Sequence, residues 1–261
     1  MLIERAFWYA GAFSLAANQT AYDQRIDIRP TADFYARAFG MYNSTGAIAA
    51  RLRRADGAFI AGNDFAHLNA FVDPTAAAYK PWPWYPQVRY PASGAFVMDL
   101  QDLGGAGDPT IYPVLYGVER MDSAVLPPAG LPQNYVEHDH TISLNVNVNG
   151  AGAQVLEIPV ECQTGDAFAI RAFAWRFSGA EPVTMHCRLW DQASHLFMNN
   201  WVPLRLMMGS PHAAAQTTLP APYPQMVIPA RGRFTMDFWN RTEAGNYNLQ
   251  VSFIGARLVE A

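Results

Sequence analysis

Polar and apolar residues alternate without a break from Thr141 to Val148 (TISLNVNV), which predicts a strand with one dry and one wet face. The same period of two runs through Phe96-Val97-Met98-Asp99-Leu100, where Phe96, Met98 and Leu100 share a face. It recurs at Phe234-Thr235-Met236-Asp237-Phe238 and at Gln250-Val251-Ser252-Phe253-Ile254. No long helical periodicity interrupts these runs; the Ala-rich stretch from Asp64 to Ala78 leaves room for one short helix. Between the apolar runs lie Pro/Gly punctuators, Pro91-Ala92-Ser93-Gly94 and Pro229-Ala230-Arg231-Gly232. There Pro fixes φ, and Gly is expected to supply a positive φ. Short strands separated by such turns predict an all-β protein built from β-sandwiches of the jelly-roll kind.

The pattern is also written twice. Tyr85–Leu100 reads YPQVRYPASGAFVMDL and Tyr223–Phe238 reads YPQMVIPARGRFTMDF, with 9 identities in 16 ungapped positions, against about one expected by chance. Arg37-Ala38-Phe39 matches Arg171-Ala172-Phe173, and Leu115-Tyr116-Gly117 matches Phe253-Ile254-Gly255. The offset drifts only from 134 to 138 across these blocks, so the copies are collinear. Phe13-Ser14-Leu15 and Ile142-Ser143-Leu144 are the expected pair of first strands. The expected organisation is therefore an internal duplication: a first jelly-roll-like sandwich over 1–122 and a second over 135–261. Between them, 123–134 is a linker rich in proline, in which no packed element can run.

Composition changes this picture in one respect. Charged residues make up 15% of the chain, against about 25% in an ordinary soluble domain. Of the 18 basic residues, Lys80 is the one lysine. Arginine is enriched and lysine depleted at protein interfaces, although a GC-rich genome gives the same bias. With aromatics at 13%, the chain is expected to bury much of its surface against copies of itself and other proteins. The net charge is −4 and no basic run extends beyond Arg51, Arg53 and Arg54, which argues against a nucleic-acid site. Glu4 and Arg5 interrupt the start where a leader needs an apolar run, and no stretch of 18 apolar residues predicts a membrane span. The chain is expected to be made in a cytoplasm. On that footing the sequons at Asn18, Asn43 and Asn240 carry no weight, and Cys162 and Cys187 are expected as reduced core residues.

Candidate chemistry is sparse. Glu137-His138-Asp139-His140 places two histidines on one side of a strand, as in the H-x-H of cupins. It sits at a domain start, however, and has no counterpart in the first copy. A polar strand edge is the expected reading, with no metal and no cofactor. The two cysteines lack zinc spacing. Asp99 and Asp237 share a repeat position; a carboxylate kept in both copies is read as accepting loop N–H groups at a strand end. No nucleophile elbow, phosphate loop or zinc-protease motif occurs, and the expectation is a protein without catalytic residues. The most unusual local feature is Lys80-Pro81-Trp82-Pro83-Trp84-Tyr85, where two prolines stiffen three aromatics. Read as a loop, Trp82, Trp84 and Tyr85 cover a sandwich end, make a protein contact or offer a sugar platform. The first copy alone carries the two tryptophans.

The form YP-x-x-x-x-P-x-x-G, an apolar strand ending in Asp, a Gly-rich loop and a closing strand ending in Gly together resemble jelly-roll virion proteins of tailed bacteriophages. Here this is YPQVRYPASGAFVMDLQDLGGAG with IYPVLYGVERM, and YPQMVIPARGRFTMDFWNRTEAG with YNLQVSFIGARLV. The resemblance covers about a third of each copy. It implies a non-enzymatic particle component, head-associated, decorating or at the collar, which partners copies of itself and other virion proteins. Double jelly-roll capsid proteins of tailless viruses share the architecture without the motif. A carbohydrate-binding double sandwich and a tandem jelly-roll enzyme remain the competing classes.

Overall fold

The computed structural model describes residues 2–43, 47–67, 82–104, 108–122, 134–162, 164–178, 184–191, 196–208, 226–242 and 244–260. They form two compact units, Met1–Leu126 and Pro127–Ala261. The last strand of the first unit ends at Asp122 and the first strand of the second begins at Tyr135. Most of the expected linker lies outside the described residues.

In the first unit the strands are β1 (Leu2–Ala10), β2 (Phe13–Ser14), β3 (Thr20–Asp27), β4 (Asp33–Asn43) and β5 (Ile48–Arg54). They are followed by β6 (Phe59–His67), β7 (Trp82–Tyr90), β8 (Ala95–Asp102) and β9 (Thr110–Asp122). One sheet runs β1-β9-β4-β7, with β2 also on β9, and the other runs β3-β8-β5-β6. The second unit holds β10 (Tyr135–Asn149), β11 (Gln154–Glu161), β12 (Ala167–Ser178), β13 (Met185–Asp191) and β14 (Val202–Pro203). A single-turn helix α1 (Leu204–Met208) follows, then β15 (Met226–Ile228), β16 (Arg233–Asn240) and β17 (Asn246–Glu260). Its sheets run β10-β17-β12-β15 and β11-β16-β13-β14. Counted from the first long strand of each unit, both sheet orders are the same. Each is two antiparallel layers in the jelly-roll order, four-stranded except for the first unit's β1-β9-β4-β7 layer, to which β2 adds a fifth strand. The protein is all-β, with two jelly-roll sandwiches in tandem.

The inner faces follow from the alternation. Phe96, Met98 and Leu100 of β8 pack in one core with Phe7, Tyr9, Phe34, Phe39 and Leu115. In the second unit Phe234, Met236 and Phe238 are buried likewise, as are Phe173, Phe253 and Cys187. The repeated glycines have a packing cause. β4 bulges between Ala36 and Ala38, and β12 between Ile170 and Ala172. Gly117 and Gly255 lie opposite these bulges, where a Cβ would collide with the carbonyl oxygens of Tyr35 and Ala169. Arg37 and Arg171 are the extra residues, and they reach Glu4 and Glu137 respectively.

Four expectations need correction. The first-strand match is shifted: Phe13 pairs with Ile111, the rung that Val146 and Leu249 occupy in the second unit, so Phe13 corresponds to Val146 rather than Ile142. The cause is Pro113, which has no N–H to give the ladder and splits β1 from β2, whereas Val251 at that rung leaves β10 continuous. Positive φ in the Pro/Gly turns belongs to Ser93 and Arg231, not to the glycines after them. Gly94 and Gly232 are needed for space beside the carbonyl oxygens of Pro91 and Pro229. Trp82, Trp84 and Tyr85 lie in strand β7 rather than in a loop. An edge strand tolerates Pro83 because its outer N–H groups have no ladder partner to lose. Finally, Asp64 to His67 close β6 instead of starting a helix, and 68–78 lie outside the described residues.

Candidate interaction surface

The most organised polar feature outside the cores is the outward face of the β3-β8-β5-β6 sheet. Asp99 sits in the middle of β8, fully buried, and its carboxylate points to that face. β3 bulges between Ala21 and Gln24, turning Asp23 to a φ of 59°. The Asp23 N–H then donates to Oδ1 of Asp99 at 3.0 Å. From β5, Arg51 donates through Nε at 2.9 Å and Nη2 at 2.7 Å to Oδ2. Arg53 donates through Nη2 to Oδ1 at 3.0 Å. Burial alone would raise the Asp99 pKa, but the Arg53, Asp23 and Arg51 hydrogen bonds outweigh it and hold the carboxyl below the ordinary carboxylate range.

The clamped guanidinium organises aromatic rings. Arg51 lies 5.0 Å from the Phe65 ring centre and 5.6 Å from that of Phe59. Phe65 meets Tyr22 edge-on at 6.5 Å. Tyr22 and Phe59 stay 58% and 48% exposed, which sets this patch apart from a covered sheet face. A half-buried arginine held beside two rings and fixed by a buried acid has lost much of its rotamer freedom in advance. That is the profile of an interface anchor.

The second unit repeats the device with changed surroundings. Asp237, also fully buried, accepts the Glu157 N–H at 2.8 Å and Arg188 Nη2 at 2.9 Å. Glu157 is the residue of positive φ in the β11 bulge. Arg188 stacks on Trp201 at 4.1 Å and lies 5.7 Å from Trp190, which takes the rung held by Arg53 in the first unit. Trp201 leans on Trp239, and Arg241 covers the Trp239 ring at 4.8 Å. Exposed Leu156 stands where the first unit has Tyr22.

The acid read as binding a loop at a strand end is thus a mid-strand anchor for a bulge and an arginine. Sequence reasoning found the two aspartates but missed the arginines and rings around them. The signal was present, since Arg51 and Arg188 fall at nearly the same repeat offset as Asp99 and Asp237. The aromatic run singled out earlier belongs to the other sheet. Trp82 pairs with Phe39, while Trp84 and Tyr85 fall where the β7 register breaks between Pro83 and Val88. The side chains of Trp82, Trp84 and Tyr85 lie outside the described residues.

His138 and His140 stand on the edge strand β10, His138 exposed and His140 half-buried beside Phe168. Among the described residues no three His, Cys, Asp or Glu are grouped to hold a metal ion. Cys162 and Cys187 are buried, unpaired thiols at the rungs of Ile28 and Ala50, and burial pushes the Cys187 pKa up. Among the described residues no helix is long and apolar enough to cross a membrane.

No family model and no curated protein matches the chain. Among solved structures it is similar to a chain of Sulfolobus turreted icosahedral virus, at 10% identity and a TM-score of 0.30, over 98% of this chain and 60% of that one. It is also similar to an archaeal-virus protein described by a triple jelly-roll fold and turret assembly, at 10% identity and a TM-score of 0.31, over 96% and 60%. A third is the major capsid protein P2 of bacteriophage PM2, at 10% identity and a TM-score of 0.27, over 97% and 98%. The chain thus spans 60% of the length of the first two. At such identities and scores these likenesses carry no functional argument.

Proposed function

We propose that this chain is a non-enzymatic structural component of a virus particle, a head-associated, decorating or collar protein of a tailed bacteriophage, made in the host cytoplasm. Its two sandwiches are read as copies of one duplicated jelly-roll over 1–122 and 135–261, joined by the linker 123–134. The chain works through protein–protein contacts with its own copies and with other virion proteins, without cofactor or metal. The observation that carries this reading is the outward aromatic–arginine cluster on the same sheet of both units, each fixed by a buried aspartate at the same rung. Low overall charge and the near-absence of lysine fit the same use.

Arg51, Phe59 and Tyr22 in the first unit, with Arg188 and Trp201 in the second, are the proposed anchors. Trp82, Trp84 and Tyr85 are proposed as a further contact. The test is the mass of the purified full chain by sedimentation at micromolar concentration, alone and mixed with the virion proteins encoded beside it. Association is expected, burying more than about 1,000 Å² per contact. A chain that stays monomeric and binds none of those proteins overturns the reading.

A further inference from the structure

The outward face of the β10-β17-β12 sheet carries a second pattern. Alternation places Asn145 and Asn147 of β10 on this face, with Asn248 and Gln250 of β17, and Arg176 and Ser178 of β12. The ladder aligns them as two rungs, Asn145–Gln250–Arg176 and Asn147–Asn248–Ser178. A third rung continues the row through Ser143 and Ser252, whose hydroxyls lie 3.0 Å apart. Strands lie about 4.8 Å apart and same-face residues about 6.8 Å along a strand. The six side chains therefore form a grid of polar groups over roughly 10 Å by 7 Å. They line an open depression of 330 Å³, within the usual range of about 300–1,000 Å³ for small-ligand sites.

The same rungs in the first unit look different. Arg176 and Gln250 replace Tyr42 and Tyr112, which stack at 6.0 Å and are buried. Thr141 and Ser143 replace Trp8 and Ala10, also buried. An apolar, closed face in one sandwich is thus an open, amide-lined one in the other. Folding does not require amides at these rungs, since the same architecture is built with aromatics.

The chemistry of the grid narrows what it can hold. Amides each offer donors and acceptors, matching hydroxyl groups that do both. There is no carboxylate in the grid for a cation, and a single positive charge is too little for a polyanion. Phe177 and Leu249 also line the depression, so part of its floor is apolar, as the carbon face of a sugar ring requires. Arg176 is exposed and forms no ion pair among the described residues, so its planar fork is open to a carboxylate. We infer that this depression is a binding site for a carboxylate-bearing saccharide, with Arg176 on the carboxylate and the amides of Asn145, Asn147, Asn248 and Gln250 on ring hydroxyls. The site is independent of assembly, because it needs neither a second chain nor the arginine-centred clusters.

Full-length protein titrated with trigalacturonate and with sialyllactose, followed by saturation-transfer NMR and calorimetry, reads the site directly. Both acidic sugars are expected to bind, and lactose about tenfold more weakly, the loss of one charge-assisted pairing. Acetate is expected neither to bind nor to compete at equal concentration. Arg176→Ala and Asn248→Ala should each weaken acidic sugars about tenfold or more. Arg25→Ala, at an exposed arginine of the first unit, should change nothing. The inference is overturned if no saccharide binds, if Arg176→Ala binds as the parent does, or if acetate competes as well as the sugars. Because all these positions are exposed, unchanged circular dichroism and melting confirm that each variant is folded.

Discussion

Arg188 lies directly across the β13/β16 ladder from Asp237, the relation that Arg51 bears to Asp99 in the β5/β8 ladder of the first sandwich. In both places a fully buried carboxylate is shared between an arginine one strand away and the N–H of a bulge on the other side. One side chain thereby fixes the register of three strands. It also holds the guanidinium against the rings of the outward face. Removing it should be felt in both the fold and the surface.

Asp99→Ala leaves Arg51 and a bulge N–H without their acceptor and takes one of two carboxylates from Arg53, which keeps Asp23. The expected loss is about 3 kcal/mol, the scale of breaking a buried pair. Asp237→Ala, with one arginine released, should cost about 2 kcal/mol. The pH dependence follows from the depressed Asp99 pKa. A carboxyl whose folded pKa lies below its unfolded value of about 3.9 contributes stability above that value and loses it as pH falls through the folded one. The parent's stability against urea should therefore fall on going from about pH 5 to pH 3. Asp99→Asn should show a smaller decline over the same range. Equal slopes would mean that the carboxylate is not held in its charged form.

Gly117→Ala and Gly255→Ala test the close approach at the bulges. The nearest atom to each added Cβ is a backbone carbonyl oxygen, which cannot swing aside; at Gly117 the Cβ would also meet the buried Phe34 ring. Losses of about 3 kcal/mol or more are expected in each unit, at the upper end of overpacking. The φ of neither glycine is positive, so conformational freedom gives no alternative explanation. Denaturation midpoints near that of the parent would show that the strands separate easily there.

The paired turns give predictions of opposite sign. Ser93 and Arg231 hold φ values of 61° and 58°. Ser93→Gly and Arg231→Gly should be neutral or stabilise by up to about 1 kcal/mol. Gly94→Ala and Gly232→Ala crowd the carbonyl oxygens of Pro91 and Pro229 and should destabilise. Thermal melting of the four single variants separates the two effects.

These turns also show where the sequence is legible. The alternation at Phe96, Met98 and Leu100 names a core face because a strand's period is local. Repetition pointed to Asp99 and Gly117 as constrained positions. Their partners, Arg51 and the Tyr35 carbonyl, depend on which strands become neighbours, and that pairing is not written in any local window. Pro83 was read as a loop marker although an edge strand accommodates it. Pro113, by contrast, interrupts the pairing of a central strand with β1 and β2, and that break displaced the first-strand alignment. The amide grid escaped notice for the same reason: Asn145, Gln250 and Arg176 meet only once β10, β17 and β12 are side by side.

Burial and thiol chemistry can be checked together at Cys187. It packs at the rung of Ala50 with its Sγ 3.3 Å from the Met207 sulfur, and burial raises its pKa. An aqueous thiol reagent at pH 8 should label neither cysteine in the native chain and both in urea. Cys187→Ala copies the first unit's residue and should cost about 1–2 kcal/mol, the loss of one buried group. Rapid native labelling of Cys187 would contradict its burial.

The aromatic–arginine clusters carry the assembly reading, and their truncation separates contact from folding. Tyr22 and Phe59 are largely exposed, so their rings add little to the core of an isolated chain. A double variant Tyr22→Ala, Phe59→Ala should keep its denaturation midpoint within about 0.5 kcal/mol of the parent, as surface changes normally do. If these rings anchor a neighbour, the same variant should lose about 2 kcal/mol or more per anchor in association. Sedimentation would read that as dissociation of the assembled species at concentrations where the parent stays associated. Trp201 differs because it is partly buried under Arg188 and beside Trp239, so Trp201→Ala should lower both stability and association. Loss of folding without loss of association in the Tyr22/Phe59 variant would assign those rings to the sandwich. The contact surface would then have to lie elsewhere, with the β7 edge that carries Trp82 and Trp84 the next surface to truncate.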